Sequence, residues 1–205
     1  MNLVEKLSPC LSLPAAYRLF QSMVARKSAW QTYLAEYVKP PPGAKILDVG
    51  CGPADILDYL PAASYTGLDI SPDYIRSAAK RFGSKGRFCC ADVGLATVAG
   101  EHGTFDLVLA TGVVHHLDDQ QAAKLFELAR LALHSTGRLV TLDGCYVPQQ
   151  SRIARWLLAN DRGKFVRTQE EYLRLASECF SNIESHLRHD RLRIPYTHLI
   201  MSCSN

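Results

Sequence analysis

With 205 residues, the chain is long enough for one well-buried domain and too short for two comfortable ones. Hydrophobic residues make up 47% and charged residues 21%, the balance of an ordinary globular protein. The formal net charge of +3 does not demand a nucleic-acid partner.

The 7 cysteines (Cys10, Cys51, Cys89, Cys90, Cys145, Cys179 and Cys203) are odd in number and irregularly spaced. No CxxC pair stands among them, so reduced thiols are expected rather than a disulfide framework or a metal site. Glu5 interrupts the opening apolar stretch, which argues against a signal peptide. No run reaches the length of a transmembrane helix. A cytoplasmic location is the resulting expectation.

Pro14 to Val38 reads as helix, with Tyr17, Phe20, Val24, Trp30, Tyr33, Leu34 and Tyr37 at roughly helical spacing. Such an aromatic stripe either packs on the domain or lines an acceptor pocket, and packing is the favoured reading. Pro40-Pro41-Pro42-Gly43 stops the helix. Alternation follows. Lys45 to Val49 is a short apolar strand ending in a glycine loop, and Ala54 to Tyr59 starts a helix. Ser64 to Asp69 is a second strand. Ser71 caps a helix with Pro72 in its first turn, running to Phe82 and ended by Gly83. Arg87 to Ala91 and Phe105 to Ala110 are further strands. Asp118 or Asp119 caps a helix to about Leu133, which Thr136-Gly137 breaks before a fifth strand, Arg138 to Leu142.

The pattern then changes. Ile153 to Leu158 is an apolar-basic helix, and Thr168 to Phe180 is another, with Thr168 and Glu171 in capping-box spacing. Asn182 to His186 and Thr197 to Ser202 read as a closing antiparallel hairpin at a sheet edge. Strands alternating with helices predict an α/β fold with a doubly wound sheet. The expected sheet is mostly parallel and seven-stranded with an antiparallel last strand, helices on both faces and an N-terminal helical extension. It would form a single domain: a helical lead-in over 1–42, a cofactor-binding core over 43–143, and a substrate-side insert with closing strands over 144–205.

Ligands of such sheets sit at the carboxyl ends of the strands, where the polar residues of this sequence collect. In Ile46-Leu47-Asp48-Val49-Gly50-Cys51-Gly52-Pro53-Ala54 the glycines let backbone approach a ligand. A dinucleotide fingerprint needs G-x-G-x-x-G/A, but Asp55 holds the third position, where a carboxylate opposes a pyrophosphate. Asp48 and Asp55 suit a ligand bearing positive charge. Asp69, ending the second strand, can accept from both ribose hydroxyls, as in dinucleotide folds. Asp92, ending the third, can accept from an adenine amino group.

Ile46 to Asp55, Tyr65 to Ser71, Ala91-Asp92-Val93 and Phe105 to Asp118 resemble the ordered motifs of class I S-adenosylmethionine-dependent methyltransferases of the small-molecule type. The resemblance covers roughly Lys45 to Gly144, with Ala54 where a third glycine is common. It implies S-adenosyl-L-methionine as cofactor, held by Asp48, Gly50, Cys51, Gly52, Asp69, Ile70, Asp92, Val93, Ala110 and Thr111. In that scheme Asp48 serves the methionine end, Asp69 the ribose, and Asp92 with the Val93 backbone the adenine. The main chain of Ala110 and Thr111 meets the methionine ammonium.

Methyl transfer needs a base only where the acceptor is protonated. His115 and His116 follow the fourth strand and are the candidate catalytic residues; in the bland reading His116 packs beneath the cofactor or caps the next helix. The expected acceptor is a small or lipid-linked molecule, with peripheral membrane contact as an accompanying expectation and oligomeric state left open. Arg152, Arg155, Arg162, Lys164 and Arg167 suit an anionic acceptor or a membrane surface, against the plainer reading of a solvated face. Tyr146 is a further pocket candidate. No base-flipping motif follows the fourth strand, where Ala110-Thr111-Gly112-Val113 stands, so nucleic acid is disfavoured. The alternatives are a non-catalytic S-adenosylmethionine-binding scaffold with the same fold, and a nicotinamide-dependent oxidoreductase, which Asp55 disfavours.

Overall fold

The protein is described from a computed structural model that covers residues 28–61, 64–92, 102–161 and 163–205. Its strands are β1 (Lys45–Val49), β2 (Ser64–Asp69), β3 (Arg87–Cys90), β4 (Phe105–Thr111), β5 (Leu133–Tyr146), β6 (Arg167–Thr168), β7 (Asn182–Arg188) and β8 (His198–Ser204). The helices are α1 (Ala29–Tyr33), continued by a π-helical turn over Leu34–Val38, then α2 (Pro72–Phe82), α3 (Asp119–Ala132), α4 (Arg152–Ala159) and α5 (Gln169–Ser177).

The main sheet runs β3-β2-β1-β4-β5-β8-β7, and the short β6 pairs with β5. β1 pairs in parallel with β2 and β4, β2 with β3, and β4 with β5. β8 is antiparallel to both neighbours, so β7 at the edge returns to the common direction. The predicted doubly wound, mostly parallel sheet is therefore observed, with the antiparallel last strand inserted between β5 and β7. Strand order reverses between β1 and β4, which places a crevice at their carboxyl ends.

Strand alternation sends side chains to two faces. Leu47, Val49, Val108 and Ala110 meet α3 and α5 on one side. Ile46, Leu107 and Leu109 meet the π turn, α2 and the segment after β1 on the other. The caps follow from sequence. Ser71 accepts the Tyr74 N–H at the start of α2, and Asp118 and Thr168 form capping boxes with Gln121 and Glu171.

Three boundaries depart from expectation. The helix expected after the glycine loop is a 3-10 turn over Asp55–Asp58, because Pro61 follows closely and disfavours helical backbone before it. The expected break at Thr136-Gly137 lies within β5, which spans Leu133–Tyr146. There the register with β4 shifts between Phe105 and Leu107. Gly137 fits this irregularity because a Cβ would stand 2.8 Å from the Phe105 carbonyl oxygen. The helix expected to Phe180 ends at Ser177. The part of the N-terminal helix carrying Tyr17, Phe20 and Val24 lies outside the described residues. Among those described, Tyr33 is fully buried and its hydroxyl lies 3.3 Å from Thr111 Oγ1, a packing role at the end of β4.

Candidate functional site

The turn after β1 is built by backbone. The Gly50 and Cys51 N–H groups both donate to the Leu68 carbonyl, at 2.7 and 2.9 Å, tying the turn to β2. Gly50 has φ +70, and a Cβ there would stand 2.3 Å from Val113 Cγ2, so the loop after β4 closes against it. Gly52 has φ +56 and nothing within 4 Å of a built Cβ, leaving open space beside the turn. Ala54 adopts φ +57 and is fully buried, keeping a left-handed bend where glycine would be expected.

Two carboxylates flank this turn. Asp69 Oδ2 accepts the Gly52 N–H at 2.8 Å and its Oδ1 accepts the Ser71 N–H at 2.8 Å. Each oxygen retains acceptor capacity after these bonds. Partial burial raises its pKa despite the two N–H donors. Ile70, next in the chain, is 68% exposed. Asp48 is buried and accepts the Tyr65 hydroxyl at 2.6 Å. Burial pushes its pKa up to about 7; the Tyr65 hydrogen bond works against the shift and the charge of Asp69 adds to it. Cys51 is half-buried, its sulfur packed where Gly67 lacks a side chain, and burial raises its thiol pKa far beyond the ordinary range.

Asp92 is half-buried just past β3, one residue beyond Ala91, whose N–H donates to the Asp69 carbonyl at 3.0 Å. Val93 lies outside the described residues. Ala110 is fully buried, so only its main chain can meet a ligand, and Thr111 is half-buried at the end of β4. These residues thus gather at the carboxyl ends of β1, β2, β3 and β4.

Asp55 stands differently from expectation. It is ion-paired with Arg81 near the end of α2, as is Asp58. Its charge is therefore compensated within the protein, and it no longer discriminates between cofactors by repelling a phosphate.

The two histidines separate. His116 is exposed, whereas His115 is buried. Asp143, three residues before the end of β5, accepts the His115 backbone N–H at 3.1 Å, and its Oδ1 lies 2.7 Å from ring Nδ1. The other oxygen, Asp143 Oδ2, is buried without a hydrogen-bond partner, an unmet acceptor beside the ring. His115 Nε2 is 3.7 Å from Asp161 Oδ1, and Asp161 Oδ2 accepts the Tyr196 hydroxyl at 2.6 Å. Burial opposes ionisation of Asp161, but nearby His115 and the Tyr196 and Gly163 donors outweigh it and lower its pKa. Gly163 seals the ring from above, since a Cβ there would stand 1.9 Å from His115 Cδ2. The His116 ring lies 4.3 Å from that of His115.

Asp143, Asp161 and Tyr196 were not singled out from sequence as partners of His115. Asp143 had a readable signal: like Asp48 and Asp69, it is an acid near the end of an apolar strand. Arg167, counted above among ligand-facing cations, is 7% exposed and occupied. It donates to the carbonyls of Val114, Leu117 and Phe165 and pairs with Asp119, clamping the loop that carries both histidines. Tyr146 lines a groove of about 620 Å³ with Val147, Arg155, Leu173 and Leu187, whose lining includes neither histidine and none of the residues around the glycine turn.

Known proteins resemble the chain in sequence and in fold. Residues 47–139 match a family described as "Methyltransferase domain". An O-methyltransferase of Pyrenophora dematioidea is 30% identical over 171 residues, covering 74% of this chain and 61% of that protein. A TehB-like S-adenosylmethionine-dependent methyltransferase from Corynebacterium glutamicum superposes with a TM-score of 0.70 at 20% identity, covering 96% of this chain and 99% of that one. Phosphoethanolamine N-methyltransferase 2 of Haemonchus contortus gives a TM-score of 0.78 at 13% identity, over 100% of this chain and 60% of that one. The fold is thus that of the class I methyltransferases. The chain resembles the class I S-adenosylmethionine-dependent methyltransferases, to which the family match and these relatives point. It spans between 20% and 61% of the length of the curated relatives it matches.

Proposed function

We propose that the chain transfers a methyl group from S-adenosylmethionine to a small or lipid-linked acceptor. The observation that carries the reading is the glycine turn with Asp69 latched to it. Open space beside Gly52 adjoins a carboxylate oriented by two backbone N–H groups and an exposed apolar residue, Ile70. That set fits an adenosyl ligand: Asp69 for the ribose hydroxyls, Ile70 against a base face, and Asp92 with Val93 for the adenine edge. Asp48, Gly50, Cys51 and Gly52 stand toward the methionine end, and the main chain of Ala110 and Thr111 toward its ammonium. In this division 43–143 holds the cofactor and 144–205 shapes the acceptor side.

When bound, S-adenosylmethionine supplies a methyl group on a sulfonium, primed for in-line displacement. The chain's task is alignment, exclusion of water and removal of a proton. His115 is the base assigned here. Asp143 accepts at Nδ1 and holds the ring so that Nε2 is the basic atom. An acceptor O–H or N–H placed near both Nε2 and Asp161 Oδ1, which are 3.7 Å apart, gives its proton to Nε2 as the methyl bond forms. His116 lies beside it on the exposed side. The Haemonchus enzyme is described in complex with phosphomonomethylethanolamine, a small molecule, which supports an acceptor of that size.

The test is transfer of labelled methyl from S-adenosylmethionine into metabolite and lipid extracts. Label entering an acceptor is the expected result. Full turnover in both His115→Ala and His116→Ala would remove the base from the scheme, and binding of NAD alone would remove the cofactor.

A further inference from the structure

Exposed apolar side chains gather on one short segment next to the site. Ile153 is 61%, Trp156 54% and Phe165 40% exposed. On α4 the inner face is Ala154 and Leu158, both buried. At 100° per residue, Trp156 centres the opposite, outer face. Ile153 and half-buried Leu157 flank it on one side, with exposed Arg152 and Arg155 on the other.

Some cations of the chain are held by carboxylates: Arg76, Arg81, Arg167, Arg174 and Arg188 are ion-paired. Among the described residues Arg152, Arg155 and Lys164 make no ion pair. Arg155 lies over the Tyr146 ring at 5.4 Å, a cation–π contact rather than an ion pair. Tryptophan beside isoleucine, bordered by cations without carboxylate partners, matches the surface of an anionic bilayer. The indole sits at headgroup depth, the aliphatic chain enters the acyl boundary, and the cations meet lipid phosphates.

The segment is also tied to the site. The turn leaving α4 carries Asp161 and Gly163 against His115, and the Phe165 N–H donates to the His115 carbonyl at 3.0 Å. We propose that α4 with Lys164 and Phe165 docks the chain on an anionic lipid surface, turning the His115 side of the crevice toward an acceptor carried in the bilayer. The docking itself rests on the exposed face alone; the delivery of an acceptor rests on the function proposed above.

Co-sedimentation of the full chain with phosphatidylcholine vesicles, with and without phosphatidylglycerol, tests the docking. The chain is expected to pellet with the anionic vesicles and to be released by high salt. Trp156→Ser with Ile153→Asn, and separately Arg152→Gln, Arg155→Gln and Lys164→Gln together, should each weaken vesicle binding about tenfold or more. Thermal unfolding and S-adenosylhomocysteine affinity should stay at wild-type values in both, since these side chains lie outside the core and the glycine turn. A chain that stays in the supernatant, or variants that bind as wild type does, would overturn the proposal. So would self-association in solution that the Trp156→Ser variant abolishes, because the face would then be a contact between copies. None of these results would bear on cofactor binding.

Discussion

Gly52→Ala and Gly50→Ala are expected to fail in different ways. Both positions have positive φ, +56° and +70°, where a side chain costs about 1–2 kcal/mol. Nothing lies within 4 Å of a Cβ at Gly52, so that conformational cost is the whole structural effect. For a chain of this size it lowers Tm by about 2–8 °C. At Gly50 the new Cβ would stand 2.3 Å from Val113 Cγ2. Overpacking adds about 1–3 kcal/mol, for a total of about 2–5 kcal/mol. Ligand binding should separate the two differently. The space beside Gly52 is where the cofactor is placed, so Gly52→Ala should weaken S-adenosylhomocysteine about tenfold or more, roughly 1.4 kcal/mol. Thermal unfolding by circular dichroism and calorimetric titration give both quantities. Wild-type affinity in Gly52→Ala would refute the placement of the ligand. Equal destabilisation by both variants would refute the packing argument at Val113.

Other residues give equally direct readouts. Burial pushes the Asp48 pKa up to about 7, so between about pH 4 and 7 the folded chain holds a proton that the unfolded chain has released. Stability from this group is therefore lost as pH rises through that window, by on the order of 4 kcal/mol at most. Denaturant unfolding of wild type and Asp48→Asn across pH should show wild type declining relative to the variant; parallel curves would contradict it. Asp143→Ala strips the acceptor from the buried His115 N–H, which costs about 1–3 kcal/mol, and should reduce methyl transfer more than S-adenosylhomocysteine affinity. Equal losses in both would place Asp143 with the cofactor instead. Arg167→Lys keeps the charge but loses the planar fork that reaches three carbonyls and Asp119. A loss of about 2–3 kcal/mol in unfolding free energy is expected, and an unchanged Tm would show that the clamp is dispensable.

The cofactor half of the site was legible because it depends on local chemistry. Glycines at a strand end, Asp69 two residues before a capping serine, and Pro72 at a helix start are all written in consecutive residues. The limits of β1, β2 and α2 could be read for the same reason. The acceptor half was less legible because it is assembled from distant segments. His115, Asp143, Asp161 and Tyr196 come from four parts of the chain, and only the parallel pairing of β4 with β5 sets Asp143 against His115. Arg167 misled for a related reason: in a run of basic residues, nothing local tells a buried clamp from an exposed cation. Asp55 misled because its partner, Arg81, is a helix away. The length of β5 was missed because Gly137 reads as a helix stop, whereas in the sheet it makes room at an irregular pairing.

The most direct measurement is calorimetric titration of the chain with S-adenosylhomocysteine and, separately, with NAD, repeated for Asp69→Ala. Saturable binding of S-adenosylhomocysteine, no heat with NAD, and a large loss of affinity in Asp69→Ala are predicted. Binding of NAD in place of S-adenosylhomocysteine, or an Asp69→Ala variant with unchanged affinity, would contradict the assignment of the glycine turn and its latched carboxylate to the methyl donor.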